Sequence, residues 1–132
     1  MVKPEYKYSE ITEIIIGCSI KVHNALGPGF PEYIYQRALD IELRKTILSV
    51  EREKEQAVYY ETHFIGNRRV DFLINKLITV ELKAVSELDN SHLNKALNYL
   101  EAFGLEIGLL INFGAPKLQF KRLINNKAGK SA

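Results

Sequence analysis

The sequence predicts a mixed sheet with helices packed against it, an α/β or α+β layer fold in the order ααβββαββ. Three observations predict it. Residues 9–26 and 31–48 carry apolar side chains at helical spacing, whereas residues 50–85 change to a period of two. A further helical stretch over 89–103 precedes a nearly all-apolar run, Leu105 to Asn112. A run without polar alternation suits a strand covered on both faces.

Each element has its own signals. In the first helix, Ile11, Ile14, Ile15, Cys18 and Val22 form one stripe, with Ser9 as the expected N-cap. Gly27-Pro28-Gly29 breaks the chain, and Pro31 suits the first position of a second helix, where no NH partner exists. That helix is expected to reach Leu48, with Ile34, Tyr35, Ala38, Leu39 and Leu43 inward. A long strand over 50–64 follows, then a turn at Gly66-Asn67, then strands over 68–74 and 77–85. Leu93, Ala96, Leu97, Leu100 and Phe103 mark one side of the third helix, which Gly104 ends. Residues 117–124 make a last, basic strand, and residues 125–132 are expected to fray as a polar tail beyond a single domain over 1–124.

Composition narrows the function classes. With 132 residues, the chain is long enough to bury a core without disulfides, and its single cysteine, Cys18, excludes an internal disulfide framework or a multi-Cys zinc site. The most apolar stretch, Gly108 to Ile111, falls far short of the ~20 residues of a membrane span. The first ten residues lack the apolar core of a signal peptide, so the expected setting is soluble, reducing and cytoplasmic, with no membrane partner. Net charge is only +2, but residues 113–132 hold five bases and no acid, which leaves −3 on residues 1–112. Lys117, Lys121 and Arg122 either blunt a sheet edge or track a phosphate backbone.

The most informative stretch is Arg69 to Val85. Val70, Phe72 and Ile74 alternate with Arg69, Asp71 and Leu73, while Ile78, Val80, Leu82 and Ala84 alternate with Thr79, Glu81 and Lys83. A two-residue turn would send the two apolar sets to opposite faces, because a one-residue slip reverses every side chain. A three-residue loop, Asn75-Lys76-Leu77, instead pairs Ile74 with Ile78, Phe72 with Val80 and Val70 with Leu82. That register sets Asp71 opposite Glu81, with Cβ atoms roughly 4.5–5.5 Å apart. Two opposed carboxylates repel, and a divalent cation removes the penalty. Asp71, Glu81 and Lys83 therefore read as a metal-dependent phosphodiesterase site, with Mg²⁺ or Mn²⁺ as cofactor. The plainer alternative is an exposed sheet face on which Arg69, Asp71, Glu81 and Lys83 form cross-strand ion pairs.

Asp71, followed after the hairpin by Glu81-Leu82-Lys83, resembles the signature of the PD-(D/E)XK nuclease superfamily. Upstream, Gly29-Phe30-Pro31-Glu32-Tyr33-Ile34-Tyr35 reads G-x-x-E-x-x-Y and is similar to the motif of the GxxExxY family within it. Val22 to Gly29 leads into that motif, and the blocks Arg69 to Asp71, Val80 to Val85, Tyr99-Leu100 and Gly108 to Gly114 follow in order, so the resemblance spans about residues 9–124. It implies a restriction-endonuclease-like core and a nuclease acting on DNA or RNA. Its acidic positions fall on Glu32, Asp71 and Glu81 and its lysine on Lys83. Asp71, Glu81 and the Leu82 carbonyl would hold the metal, Lys83 would position water, and Glu32 would act from its helix. A homodimer or protein partner would enlarge the small binding surface.

There are two departures from the pattern. Val70 stands where the superfamily's name has proline, and Lys95 stands four residues before Tyr99, where related nucleases often place glutamine. The second departure keeps open a non-catalytic module that binds nucleic acid or protein. His23, Arg69, Lys95 and Tyr99 are the candidate substrate contacts; His92, Lys95 and Tyr99 share a helical face. Glu32 could equally serve the helix dipole. His23 could cap its helix, and Tyr35 is expected in the core with its hydroxyl tied to a partner. His63 and Cys18 read as structural.

Overall fold

A computed structural model describes residues 6–127 and has the predicted element order, with α1 (Ser9–Leu26) and α2 (Glu32–Arg44) first. The buried face of α1 is turned from the expected stripe. Thr12, Ile15, Ile16, Ser19, Val22 and His23 are buried, while Ile11, Ile14 and Cys18 lie at the core's margin. The polar members can enter because the helix satisfies them itself: the Ser19 hydroxyl donates to the Ile15 carbonyl at 2.8 Å, and that of Thr12 to the carbonyls of Tyr8 and Ser9. Tyr8, not Ser9, is the N-cap, and it adopts a left-handed conformation with φ 59°.

Pro31 is likewise the N-cap of α2 and not its first helical residue, because its ψ of 157° is extended. The helix stops at Arg44, short of Leu48. Thr46 explains the stop. Its hydroxyl donates to the Leu43 carbonyl at 2.6 Å and accepts from the Leu48 amide at 3.2 Å, replacing the next helical turn with a side-chain turn. Tyr35, Leu39 and Leu43 are fully buried, as the spacing predicts.

The strands are β1 (Val50–Tyr60), β2 (His63–Ile74), β3 (Ile78–Lys83), β4 (Ile107–Asn112) and β5 (Gln119–Ile124), with α3 (Asn90–Phe103) between β3 and β4. They form one five-stranded sheet in the order β1-β2-β3-β4-β5. Only β3 and β4 run parallel, and α3 supplies the crossover that a parallel pair requires. The expected turn at Gly66-Asn67 is absent. The β1–β2 ribbon turns at Glu61-Thr62, and Gly66 sits inside β2 beside a bulge that leaves Ile65 as the extra residue. Glycine inside a strand commonly marks such a bulge.

The helices cover both faces. On one, α1 and α2 pack Ile15, Ile16, Tyr35 and Leu39 against Phe72, Val80, Leu82, Leu109 and Ile111. On the other, α3 sets Ala96 and Leu100 against Leu110 and Leu123. Every residue of β4 is buried, as expected for a doubly covered strand. Gly108 is required there, since an added Cβ would lie 2.5 Å from Thr79 Oγ1. Asn125, the first residue of the expected tail, is buried and donates through its side chain to the Leu105 carbonyl at 3.0 Å; residues 128–132 lie outside the described residues. No described helix is long and apolar enough to cross a membrane.

Candidate active site

The hairpin register is the one predicted from alternation. Ile74 pairs with Ile78 and Phe72 with Val80, around Asn75 and Lys76 in left-handed conformations. Regular pairing stops at Phe72 and Val80, one step earlier than expected, so Val70 and Leu82 are not ladder partners. Side chains take over at that point. The Asp71 amide donates to Glu81 Oε1 at 3.0 Å, and the Leu82 amide donates to Asp71 Oδ2 at 2.8 Å. The two acids are thus brought together between the strands, each holding the other strand's backbone.

This arrangement makes both carboxyls reluctant to ionise. Burial is the largest cause for Glu81, the Asp71 charge adds to it, and the carboxyl is pushed up to about 8. Asp71 is also raised by burial, against the opposing effect of its bonds from Leu82 and Gln36 and of the Lys83 charge. Two desolvated like-charged groups have this effect on each other wherever no cation is present.

Lys83 is half-buried, and its charge acts on Asp71, Glu81 and Glu32. Its backbone is fixed from β4: the Phe113 amide donates to the Lys83 carbonyl at 2.8 Å. Just beyond, the buried Asn112 amide group donates to the Val85 carbonyl and to Gln119 Oε1, and accepts from the amides of Val85 and Gly114, all at 2.9–3.0 Å. Gly114 lets the chain cross there, since a Cβ on it would lie 2.4 Å from the Val85 nitrogen.

Glu32 opens α2 and lines a cleft of about 230 Å³ with Tyr33, Gln36, Arg37, Glu53 and Asp71. Burial raises its carboxyl, Lys83 opposes the shift, and Asp71 adds to it. The Gly27–Phe30 loop that sets the start of α2 is tied to Tyr35. The Tyr35 hydroxyl donates to the Gly27 carbonyl and accepts from the Phe30 amide at 3.2 Å, while its ring stacks on Phe113 at 4.8 Å. Gly29 within that loop has φ 115°, a conformation for which glycine is suited. Gly29, Glu32 and Tyr35 therefore have linked structural roles: loop, cleft wall and loop anchor.

The other expected contacts are not among the residues that line this cleft, although Arg69 reaches one of them, Glu53, and the His92 charge acts on another, Glu32. His23 is buried and bonds through Nε2 to the Ala115 carbonyl at 2.9 Å; it lines a second, apolar hollow of about 270 Å³ with Ile20, Pro116, Leu118 and Phe120. His92 accepts from the Asp89 amide in a capping box at the start of α3. Lys95 is exposed. Tyr99 carries the Arg68 guanidinium over its ring at 5.5 Å, and Arg69 lies 3.6 Å from Glu53. Arg122 donates to the Lys7 carbonyl at 3.1 Å and lies over the Tyr6 ring at 4.8 Å, a structural use on the edge strand β5.

Four cleft residues escaped sequence reasoning: Tyr33, Gln36, Arg37 and Glu53. Gln36 Nε2 donates to Asp71 Oδ1 at 2.6 Å; its place one helical turn after Glu32 was the available signal. Glu53 stands where the β1–β2 register would set it against Asp71, but with φ 55° it drops out of the ladder. Nothing in the sequence marks that left-handed residue. Among the described residues, no group of three or more His, Cys, Asp or Glu side chains is arranged to hold a metal ion. Asp71 and Glu81 nonetheless offer the hard oxygen donors that Mg²⁺ takes, and Mg²⁺ is usually held by only one or two carboxylates with water completing the shell.

No curated protein matches the chain, and no solved structure does. A family model of the PD-(D/E)XK nuclease superfamily matches residues 9–123, a span that takes in both helices of the α1–α2 face, the Asp71–Lys83 hairpin and all five strands but for the last residue of β5. With that match over most of its length and the mixed sheet that carries the acids, the chain belongs to the PD-(D/E)XK nuclease superfamily.

Proposed function

We propose that this protein is a metal-dependent nuclease of the GxxExxY type that hydrolyses phosphodiester bonds in DNA or RNA. One observation carries the reading: Asp71 and Glu81 are locked together between splayed strands, desolvated and beside the Lys83 charge. Such a pair is costly unless a cation joins it.

Mg²⁺ or Mn²⁺ would be held by Asp71 and Glu81, with the Leu82 carbonyl as a further donor. Bound there, the metal would lower the pKa of a water and polarise a phosphoryl oxygen. The chain's own residues do the rest. Gln36 and the Leu82 amide fix the Asp71 carboxylate, leaving Glu81 Oε2 uncommitted to the backbone. Lys83, with its carbonyl anchored to Phe113, orients the attacking water and offsets charge developing on the phosphate. Glu32 faces the same centre from the start of α2 and can hold a proton there.

Lys95, which stands where related nucleases often place glutamine, favours one other reading, a nuclease-fold module that binds nucleic acid or protein without cutting. Incubation with single- and double-stranded DNA and RNA separates the two, using Mg²⁺, Mn²⁺ and chelator in turn. Metal-dependent cleavage that disappears in Asp71→Asn and Lys83→Ala is expected. Strands that stay intact under every condition would favour the binding module.

A further inference from the structure

The cleft beside the paired acids has one cationic and aromatic wall. Tyr33 and Arg37 lie four residues apart on α2, and the Arg37 guanidinium sits over the Tyr33 ring at 5.3 Å. Both line the cleft with Glu32, Gln36, Glu53 and Asp71, and Tyr33 is 54% exposed. Three carboxylates share this cleft, yet the ion pairs formed within 4.0 Å among the described residues leave Arg37 out. Its charge is spent on no acid. It lies over a ring, and its N–H donors can still meet a bidentate acceptor.

We propose that Tyr33 and Arg37 hold an unpaired nucleic-acid strand at the mouth of the cleft, with a base stacked on the Tyr33 ring and the adjoining phosphate gripped by Arg37. The inference rests on the nuclease reading and narrows its substrate to single-stranded DNA or RNA, or to a frayed or flipped-out nucleotide. A base already stacked within a duplex offers no free face to a ring. The bases of the neighbouring β1–β2 ribbon already have partners: Arg52, Lys54 and Arg69 face Asp40, Glu51 and Glu53, and Arg68 lies over the Tyr99 ring, while on β5 Arg122 is committed to Lys7 and Tyr6. The acids of the cleft repel phosphate and Arg69 is paired with one of them, Glu53, so the Arg37 guanidinium sets where the backbone can approach.

Binding can be read apart from cutting, by fluorescence anisotropy of a short fluorescein-labelled DNA or RNA strand and of its duplex. Ca²⁺ replaces Mg²⁺ in this assay. Tyr33→Ala is expected to weaken single-strand binding roughly ten-fold or more, the usual effect of losing one base–aromatic stack, while Tyr33→Phe keeps it. Arg37→Ala should weaken it comparably and make the slope of log affinity against log salt shallower by about 0.7, the loss of one phosphate contact on a single strand. Circular dichroism should show both exposed-site variants folded. Single-strand affinity unchanged in both alanine variants would overturn the proposal, as would equal losses on the duplex. A protein that binds strands through Tyr33 and Arg37 but never cuts would sink the nuclease reading and leave this one standing. One that cuts with unaltered affinity in both variants would do the reverse.

Discussion

The two halves of the β2–β3 hairpin share one register and two strands but follow different physics. Near the turn, Phe72, Ile74, Ile78 and Val80 pair in a regular ladder and are fully buried. One step farther along, the ladder gives way to carboxylates that accept backbone amides, and the side chains there are desolvated acids. The first half stabilises the fold. The second half is held in place by the first and by β4, at a cost in electrostatic repulsion. The contrast shows how a fold can fix charged groups at a chosen spacing: the apolar ladder sets the register, and the charged groups inherit it.

Breaking the apolar half should cost most. Phe72→Ala is expected to destabilise by about 3–5 kcal/mol in denaturant unfolding, the usual range for a buried phenylalanine. A loss below 1 kcal/mol would show that the turn-proximal ladder is not what holds the hairpin.

The β4 support of the charged half comes next. Asn112→Ala strands several buried backbone groups next to Lys83 and should cost about 2–3 kcal/mol. Because Asn112 touches neither acid in the hydrogen-bond pattern, cleavage should fall with the folded fraction and recover where the variant is fully folded.

Within the charged half the sign reverses. In chelator, folded Glu81 titrates near 8, whereas its ordinary value is 4.5. Between these values the folded state retains a proton that the unfolded chain has released. This group's contribution to stability is therefore greatest at the acid end and falls as pH rises from about 5 to 8. Glu81→Gln should flatten that part of the melting-temperature profile and raise the metal-free melting temperature at pH 8 by several degrees, while abolishing cleavage. A steeper profile in the variant would contradict the account.

Gln36→Ala should have the smallest effect on stability, about 1 kcal/mol for one partly buried hydrogen bond. It should lower Mn²⁺ affinity several-fold by releasing Asp71, with the loss partly restored in Gln36→Asn only if the shorter amide still reaches.

The same contrast explains what could be read from the sequence. The apolar alternation of Val70 to Ile74 against Ile78 to Leu82 determines the loop length, and with it the meeting of Asp71 and Glu81; period-two patterning carries that information directly. Local chemistry was less legible where a residue has two physical uses. Gly66 suits a turn or a bulge, and in the fold the strands turn earlier, pairing Tyr60 with His63 and Tyr59 with Phe64, which leaves the bulge beside Gly66. Ser19 and Thr12 look like surface residues until the helix bonds their hydroxyls to its own carbonyls. The spacing within α2 puts Gln36 on the same face as Glu32, but the contact of Gln36 with Asp71 and the place of Tyr33 and Arg37 on the cleft wall emerge only when α2 is laid across the hairpin.

The most direct measurement of the central claim is calorimetric titration of Mn²⁺ into the protein near neutral pH, in two buffers of different ionisation enthalpy. The account predicts binding that releases protons, because the metal displaces the proton that the buried Asp71–Glu81 pair retains, and loss of that binding in Asp71→Asn and Glu81→Gln. Wild-type protein that takes up no metal, or both variants binding it with unchanged affinity, would contradict the claim.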